Sequence, residues 1–125
     1  MADEIDNSTF APARSEVTVR KDIVDGAVIL SVFDVIDAAT ADEVSAAVDD
    51  ALAGSPQALV IDLTGVTFLA SVGMTILIKA REDVGAGFAV VAEGNATRRP
   101  LMLVGLDSEM TLCRTRDEAL RAVQR

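Results

Sequence analysis

Apolar and polar residues alternate with two different periods along this chain, and the switches between them mark out its elements. Glu16-Val-Thr-Val-Arg20 alternates, as a half-buried strand does. Asp25-Gly26 precedes an apolar run, Ala27 to Phe33. A Gly-containing two-residue turn between such runs signals an antiparallel hairpin. Asp34 to Asp37 reads as a loop leading to Thr40-Ala-Asp-Glu43, which has the spacing of a capping box. Val44, Ala47, Val48, Ala51 and Leu52 then recur at helical spacing, with Asp42, Asp49 and Asp50 on the opposite face and Gly54 as a stop.

The centre of the chain carries the strongest pattern. Ala58 to Leu63 is apolar except for Asp62 and is bounded by Pro56 and Thr64-Gly65, which suits a strand buried on both faces. A loop is expected next, with Phe68 and Leu69 tucked back against the core. Ser71 then stands as the natural N-cap of a helix over about Val72 to Asp83. That helix is apolar on most sides and therefore reads as buried. Gly85-Ala-Gly87 releases a strand, Phe88 to Ala92, and a turn leads to a short helix from about Arg98 to Val104, capped by Thr97 and stopped by Gly105. Met110 to Cys113 reads as the last strand. Thr115-Arg-Asp-Glu118 is a second capping box, and Ala119, Leu120, Ala122 and Val123 form the apolar face of the last helix. The order β-β-α-β-α-β-α-β-α predicts one α/β domain over residues 15–125: a mostly parallel sheet that starts with an antiparallel hairpin, with helices packed against it. Residues 1–14, polar and carrying Pro12, read as a flexible arm.

Composition narrows this picture. Half of the 125 residues are apolar but only 3% are aromatic, so the core is built from Val, Leu, Ile, Ala and Met. A net charge of −9 argues against nucleic acid and anionic membranes as partners and favours a protein with a basic patch. The one cysteine, Cys113, permits no intrachain disulfide, which fits a reducing, cytoplasmic setting. Met1 to Asp6 is acidic and is not a signal peptide, and no apolar run approaches the ~20 residues of a membrane span, so no membrane insertion is expected. Without a secretory signal, Asn95-Ala-Thr97 is a chance match to a glycosylation sequon.

Enzymatic chemistry finds little support. The chain has no histidine, which removes His-based acid–base, nucleophilic and metal chemistry. No phosphate-binding loop is present, because Gly85-x-Gly87 precedes a strand instead of following one. No cofactor or metal is expected, and the chain reads as a non-enzyme. Cys113, in an apolar strand, reads as a structural thiol. Asp62 near a strand end raises the idea of an aspartyl phosphoacceptor, but neither Lys21 nor Lys79, the only lysines, is placed for that site. Ser71 has two open readings. It is a helix cap that needs no further purpose, or a phosphorylation site whose added −1.5 to −2 charges a helix N-terminus tolerates and a docked partner does not.

The stretch Val60 to Gly73 resembles the signature of the STAS domain, approximately D-L-S/T-x-V-x-F-M/I-D-S-S/T-G, with Asp62, Leu63, Thr64, Val66, Phe68, Leu69, Ser71 and Gly73 matching. Asp34-Val-Ile-Asp37-Ala-Ala-Thr40 resembles the G-E-L-D-x-x-T segment of the family, with Asp37 and Thr40 matching, and Leu101 to Leu106 its short helix ending in Gly-Leu. The resemblance covers about residues 15 to 124. It implies a non-catalytic α/β domain of the kind found in bacterial anti-sigma factor antagonists and in the tails of sulfate transporters. In the antagonists such a domain captures an anti-sigma factor that is also a serine kinase and so frees a sigma factor; the kinase phosphorylates the serine matching Ser71, and a serine phosphatase resets it. The implied docking surface is Asp34, Asp37, Thr64, Ala70, Ser71, Val72, Gly73 and Met74. Ala70 replaces the acid of the pattern and Val72 its Ser or Thr, and both departures bear on recognition by a kinase. For Asp37 a solvated loop carboxylate is the plainer reading. Two other functions stay open: an unphosphorylated STAS subunit of a membrane transport or scaffolding complex, and a sensor that binds a small anion or nucleotide at the helix mouth.

Overall fold

A computed structural model describes residues 15–124, so the arm expected at residues 1–14 lies outside the described residues. Five strands, β1 (Val17–Val24), β2 (Ala27–Ile36), β3 (Ala58–Leu69), β4 (Phe88–Val91) and β5 (Thr111–Cys113), form one sheet in that order. The first pair is antiparallel and the rest are parallel. Among the described residues four α-helices connect or follow them: α1 (Ala41–Ala53), α2 (Ser71–Val84), α3 (Arg98–Leu103) and α4 (Arg116–Val123). This is the α/β architecture the residue pattern predicts. The hairpin turns at Asp25-Gly26, where both residues have positive φ (52° and 83°), a conformation that Asp and Gly reach at low cost.

Strand alternation divides the core into two layers. Val28, Leu30, Val32, Leu59, Ile61, Leu63, Phe88 and Val90 face α1 and α2 and meet Val44, Val48, Leu77 and Ala80, with Leu101 of α3 beside them. Ile29, Val60, Ala89, Val91 and Cys113 face the other way and meet Ala119 of α4. Each fully buried Leu or Ile here contributes roughly 1.5–3 kcal/mol.

Several expectations need correction. Asp34 to Ile36 is strand and not loop, and β3 runs on to Leu69. Pairing continues through Val35↔Phe68 and Ile36↔Leu69, past two register shifts. Neighbouring residues of a paired strand point to opposite faces, so Phe68 and Leu69 cannot both turn inward: Leu69 is buried and Phe68 is 55% exposed. α2 is not buried all round either. Only Gly73, Leu77 and Ala80 are buried, and Ile78 is exposed. The capping box at Thr115 and Glu118 forms, with Glu118 N–H donating to Thr115 Oγ1 at 3.1 Å and Thr115 N–H to Glu118 Oε1 at 3.2 Å. The one expected at Thr40 and Glu43 does not, and Thr97 makes no side-chain cap bond.

Candidate partner-binding site

β2 and β3 run parallel, so both end at the same edge of the sheet, and α1 and α2 start there. The carboxyl edge of a parallel sheet is where α/β folds place their sites. Ala70 N–H donates to Ile36 O at 2.8 Å and ties the two strand ends together.

The turn after β2 explains why Thr40 does not cap α1. Its Oγ1 donates to Val35 O at 2.8 Å and accepts from Asp37 N–H at 3.0 Å. In return, Asp37 Oδ1 accepts from Ala39 N–H at 2.9 Å and from Thr40 N–H at 3.2 Å. The reciprocal box has moved one turn earlier, with Asp37 where the pattern had placed Thr40. Asp37 is therefore a structural acceptor and not simply a solvated carboxylate. Ser15 Oγ donates to its Oδ2 at 2.5 Å. That bond is the main reason the Asp37 carboxyl is held below its ordinary range, helped by the N–H groups of Ala39 and Thr40.

At the start of α2 the N-cap is Ala70, in extended backbone (φ −86°, ψ 168°), and Ser71 is the first helical residue. Ser71 as N-cap is thus corrected by one position. No side-chain cap bond forms, so the exposed Ser71 hydroxyl is not spent on the helix start. Its carbonyl accepts Thr75 Oγ1–H at 3.3 Å. The first-turn N–H groups and the positive end of the helix dipole lie beside the hydroxyl. Gly73 is buried: a Cβ there would come within 2.5 Å of Leu69 Cδ1 and 2.8 Å of Ile36 Cγ2, so glycine lets the helix seat directly on the two strand ends. Val72 and Met74 are half-buried on either side.

The structure therefore gathers Asp37 and Ala70 to Met74 at one edge. Asp34, with φ 79°, stands a short way back on β2, and its carbonyl accepts Thr67 Oγ1–H at 3.1 Å. Thr64 is not brought to this edge. It adjoins Gly65, which pairs with Phe33 three strand residues before Ile36, roughly 10 Å back along β2, and both its N–H and its Oγ1–H donate to Asp62 Oδ1, at 2.9 and 2.8 Å. Asp62, far from being a free phosphoacceptor, is buried against Arg116 of α4, whose Nε sits 2.7 Å from Oδ2 and whose Nη2 donates to Ser31 Oγ. Burial holds the Cys113 thiol up, away from the reactive thiolate. Sequence reasoning missed Ser15, Ile36 and Arg116, because long-range partners leave no local signal. Among the described residues no group of three or more metal-ligating side chains comes together, and no helix is long and apolar enough to cross a membrane.

A family model described as the STAS domain matches residues 18–119. This chain belongs to the STAS domain family. The STAS chain is 41% identical over 114 residues to the anti-sigma-F factor antagonist RsfB of Mycobacterium tuberculosis, covering 90% of this chain and 93% of RsfB. It superposes on the crystal structure of an anti-sigma factor antagonist from Mycobacterium paratuberculosis with a TM-score of 0.86 at 45% identity, over 90% of this chain and 98% of that one. The Bacillus cell fate determinant SpoIIAA, in its phosphorylated form, shares the STAS fold at a TM-score of 0.62 and 18% identity, over 86% of this chain and 100% of SpoIIAA.

Proposed function

We propose that this STAS protein is an anti-sigma factor antagonist. It captures an anti-sigma factor at the edge formed by Asp37 and Ala70 to Met74 and so frees the sigma factor in the cytoplasm. The anti-sigma factor is a serine kinase that phosphorylates Ser71 and dissociates, and a serine phosphatase restores the binding form. The domain contributes a binding surface and no catalysis of its own. The observation that carries this reading is the exposed Ser71 hydroxyl at the first position of α2, unspent on capping and beside the first-turn N–H groups of a helix mouth. A phosphate there is accommodated by the fold, because the helix start favours an anion. The same anion repels or displaces a partner seated on that edge. Relatives named as anti-sigma factor antagonists at 41% and 45% identity support the class of partner.

The test is to incubate the purified chain with its cognate kinase and ATP and locate the phosphate by mass spectrometry. Phosphate on Ser71, and loss of the complex with it, is the expected result; phosphate only elsewhere rejects the assignment. Ala70, which puts no acid beside the acceptor, favours a second reading, a constitutive STAS subunit of a larger assembly with no phosphate cycle. Recovery of a transport ATPase and no anti-sigma factor in a pull-down would select it.

A further inference from the structure

α1 and α2 start at the same edge and lie side by side, and a solvent-open groove of about 270 Å³ runs between them. Its floor is apolar, made by Val48 and Ala80 with Val72 and Ile76 on the α2 side. Its rim carries three carboxylates, Asp42, Asp49 and Asp83, against one cation, Lys79. Among the described residues none of those three aspartates is in an ion pair; Asp50, the neighbour that is, pairs with Lys21. From Val72 to Asp83 the groove follows α2 for about 16 Å. It begins next to Ser71, since Val72 is part of its lining.

We infer that this groove is the specificity-determining half of the docking surface, and that it takes a segment of the anti-sigma factor presenting an apolar residue together with a Lys or Arg. The inference rests on the antagonist reading above and extends its interface along α2. Two physical features choose this occupant. Three carboxylates against one lysine on the rim repel the phosphates of a nucleotide, so the groove suits side chains better than an anionic ligand. An apolar floor under an acidic rim complements a side chain with an aliphatic stem and a cationic head, which buries the stem and leaves the charge among the carboxylates. A second copy of this chain is a poor occupant, because it brings a further −9 of net charge.

The experiment measures the dissociation constant of the full chain with the cognate anti-sigma factor by calorimetric titration, at low and at high salt. The chains compared are wild type, Asp49→Asn with Asp83→Asn, Asp49→Lys with Asp83→Lys, and Ser45→Trp, which fills the groove without changing charge. Asp22→Asn with Asp25→Asn, at the hairpin away from the groove, controls for net charge. The neutralised pair is expected to bind about ten-fold more weakly and with a smaller salt dependence, and the reversed pair on the order of a hundred-fold more weakly. Ser45→Trp is expected to weaken binding at both salt concentrations, and the hairpin control to stay within about two-fold of wild type. Circular dichroism melts confirm that every variant folds. Wild-type affinity in the reversed pair and in Ser45→Trp overturns the inference, as does an equal loss in the hairpin control. If Ser71→Asp still abolishes binding in that case, the antagonist reading stands without the groove. Failure of the wild-type chain to bind the anti-sigma factor overturns both.

Discussion

At the scale of single residues, the site depends on what cannot be added or removed. Gly73 has no room for a methyl group, because a Cβ would press on Leu69 and Ile36, both packed at the strand ends. Gly73→Ala is expected to destabilise the fold by roughly 1–3 kcal/mol, read as a lower urea midpoint, and to weaken partner binding because α2 must lift off the sheet. Arg116→Ala acts from the other side. Asp62 is about nine-tenths buried, whereas the Arg116 side chain is 43% exposed, so solvent already screens part of the pair. The loss is expected at about 1–3 kcal/mol, below the 3–5 of a fully buried pair; Asp62→Asn in the Arg116→Ala background should recover part of it, which a urea series on the two variants checks. Asp62 was legible in the sequence as a polar interruption of an apolar run. Its partner, 54 positions later, was not, because nothing local to Asp62 marks which distant side chain neutralises it. Ser71 was legible as lying at a helix start, but spacing alone did not separate the cap from the first helical residue.

At the scale of elements, strands and helices followed from period and turn chemistry, whereas the ends of β2 and β3 did not. Asp34 to Ile36 and Val66 to Phe68 mix polar and apolar residues and read as loops. They are strand because each supplies the other's backbone partners across a bulged parallel ladder, a pairing between segments more than thirty residues apart. The shifted box at Asp37 and Thr40 has the same origin: the Thr40 hydroxyl is drawn to Val35 O at the end of β2, so the helix cap yields to the strand end. This turn gives a pH prediction. The Asp37 carboxyl is held below its ordinary value of 3.8, first by Ser15. A lowered folded-state pKa means that the stabilisation is fully present above the unfolded value and is lost as pH falls through the folded one. The difference in melting temperature between wild type and Asp37→Asn should therefore be constant near neutral pH and shrink below about pH 4. Ser15→Ala should shrink it as well, by removing the strongest hydrogen bond to the charged form. A difference that does not vary between pH 7 and pH 3 would show that the carboxylate is not what holds the turn.

At the scale of the whole molecule, the sheet edge that carries Ser71 has two demands that a single substitution can separate. Stability asks only that the start of α2 be compatible with its dipole, whereas binding asks that a partner be able to sit on it. Ser71→Asp places a carboxylate at the first helical position, where an acid is favourable by about 0.3–1 kcal/mol. The melting temperature of this variant should therefore equal or slightly exceed that of wild type. Its affinity for the anti-sigma factor should fall by on the order of a hundred-fold, because a charge left unpaired under a docked partner costs several kcal/mol. Ser71→Ala separates the hydroxyl from the charge: it should bind nearly as well as wild type, melt within about a degree of it, and resist phosphorylation. A fall in both stability and affinity for Ser71→Asp would mean that the serine is part of the scaffold. Unchanged affinity would mean that the partner sits elsewhere on the molecule. Only a stable variant that has lost its partner is consistent with a phosphate that switches binding and leaves the fold intact.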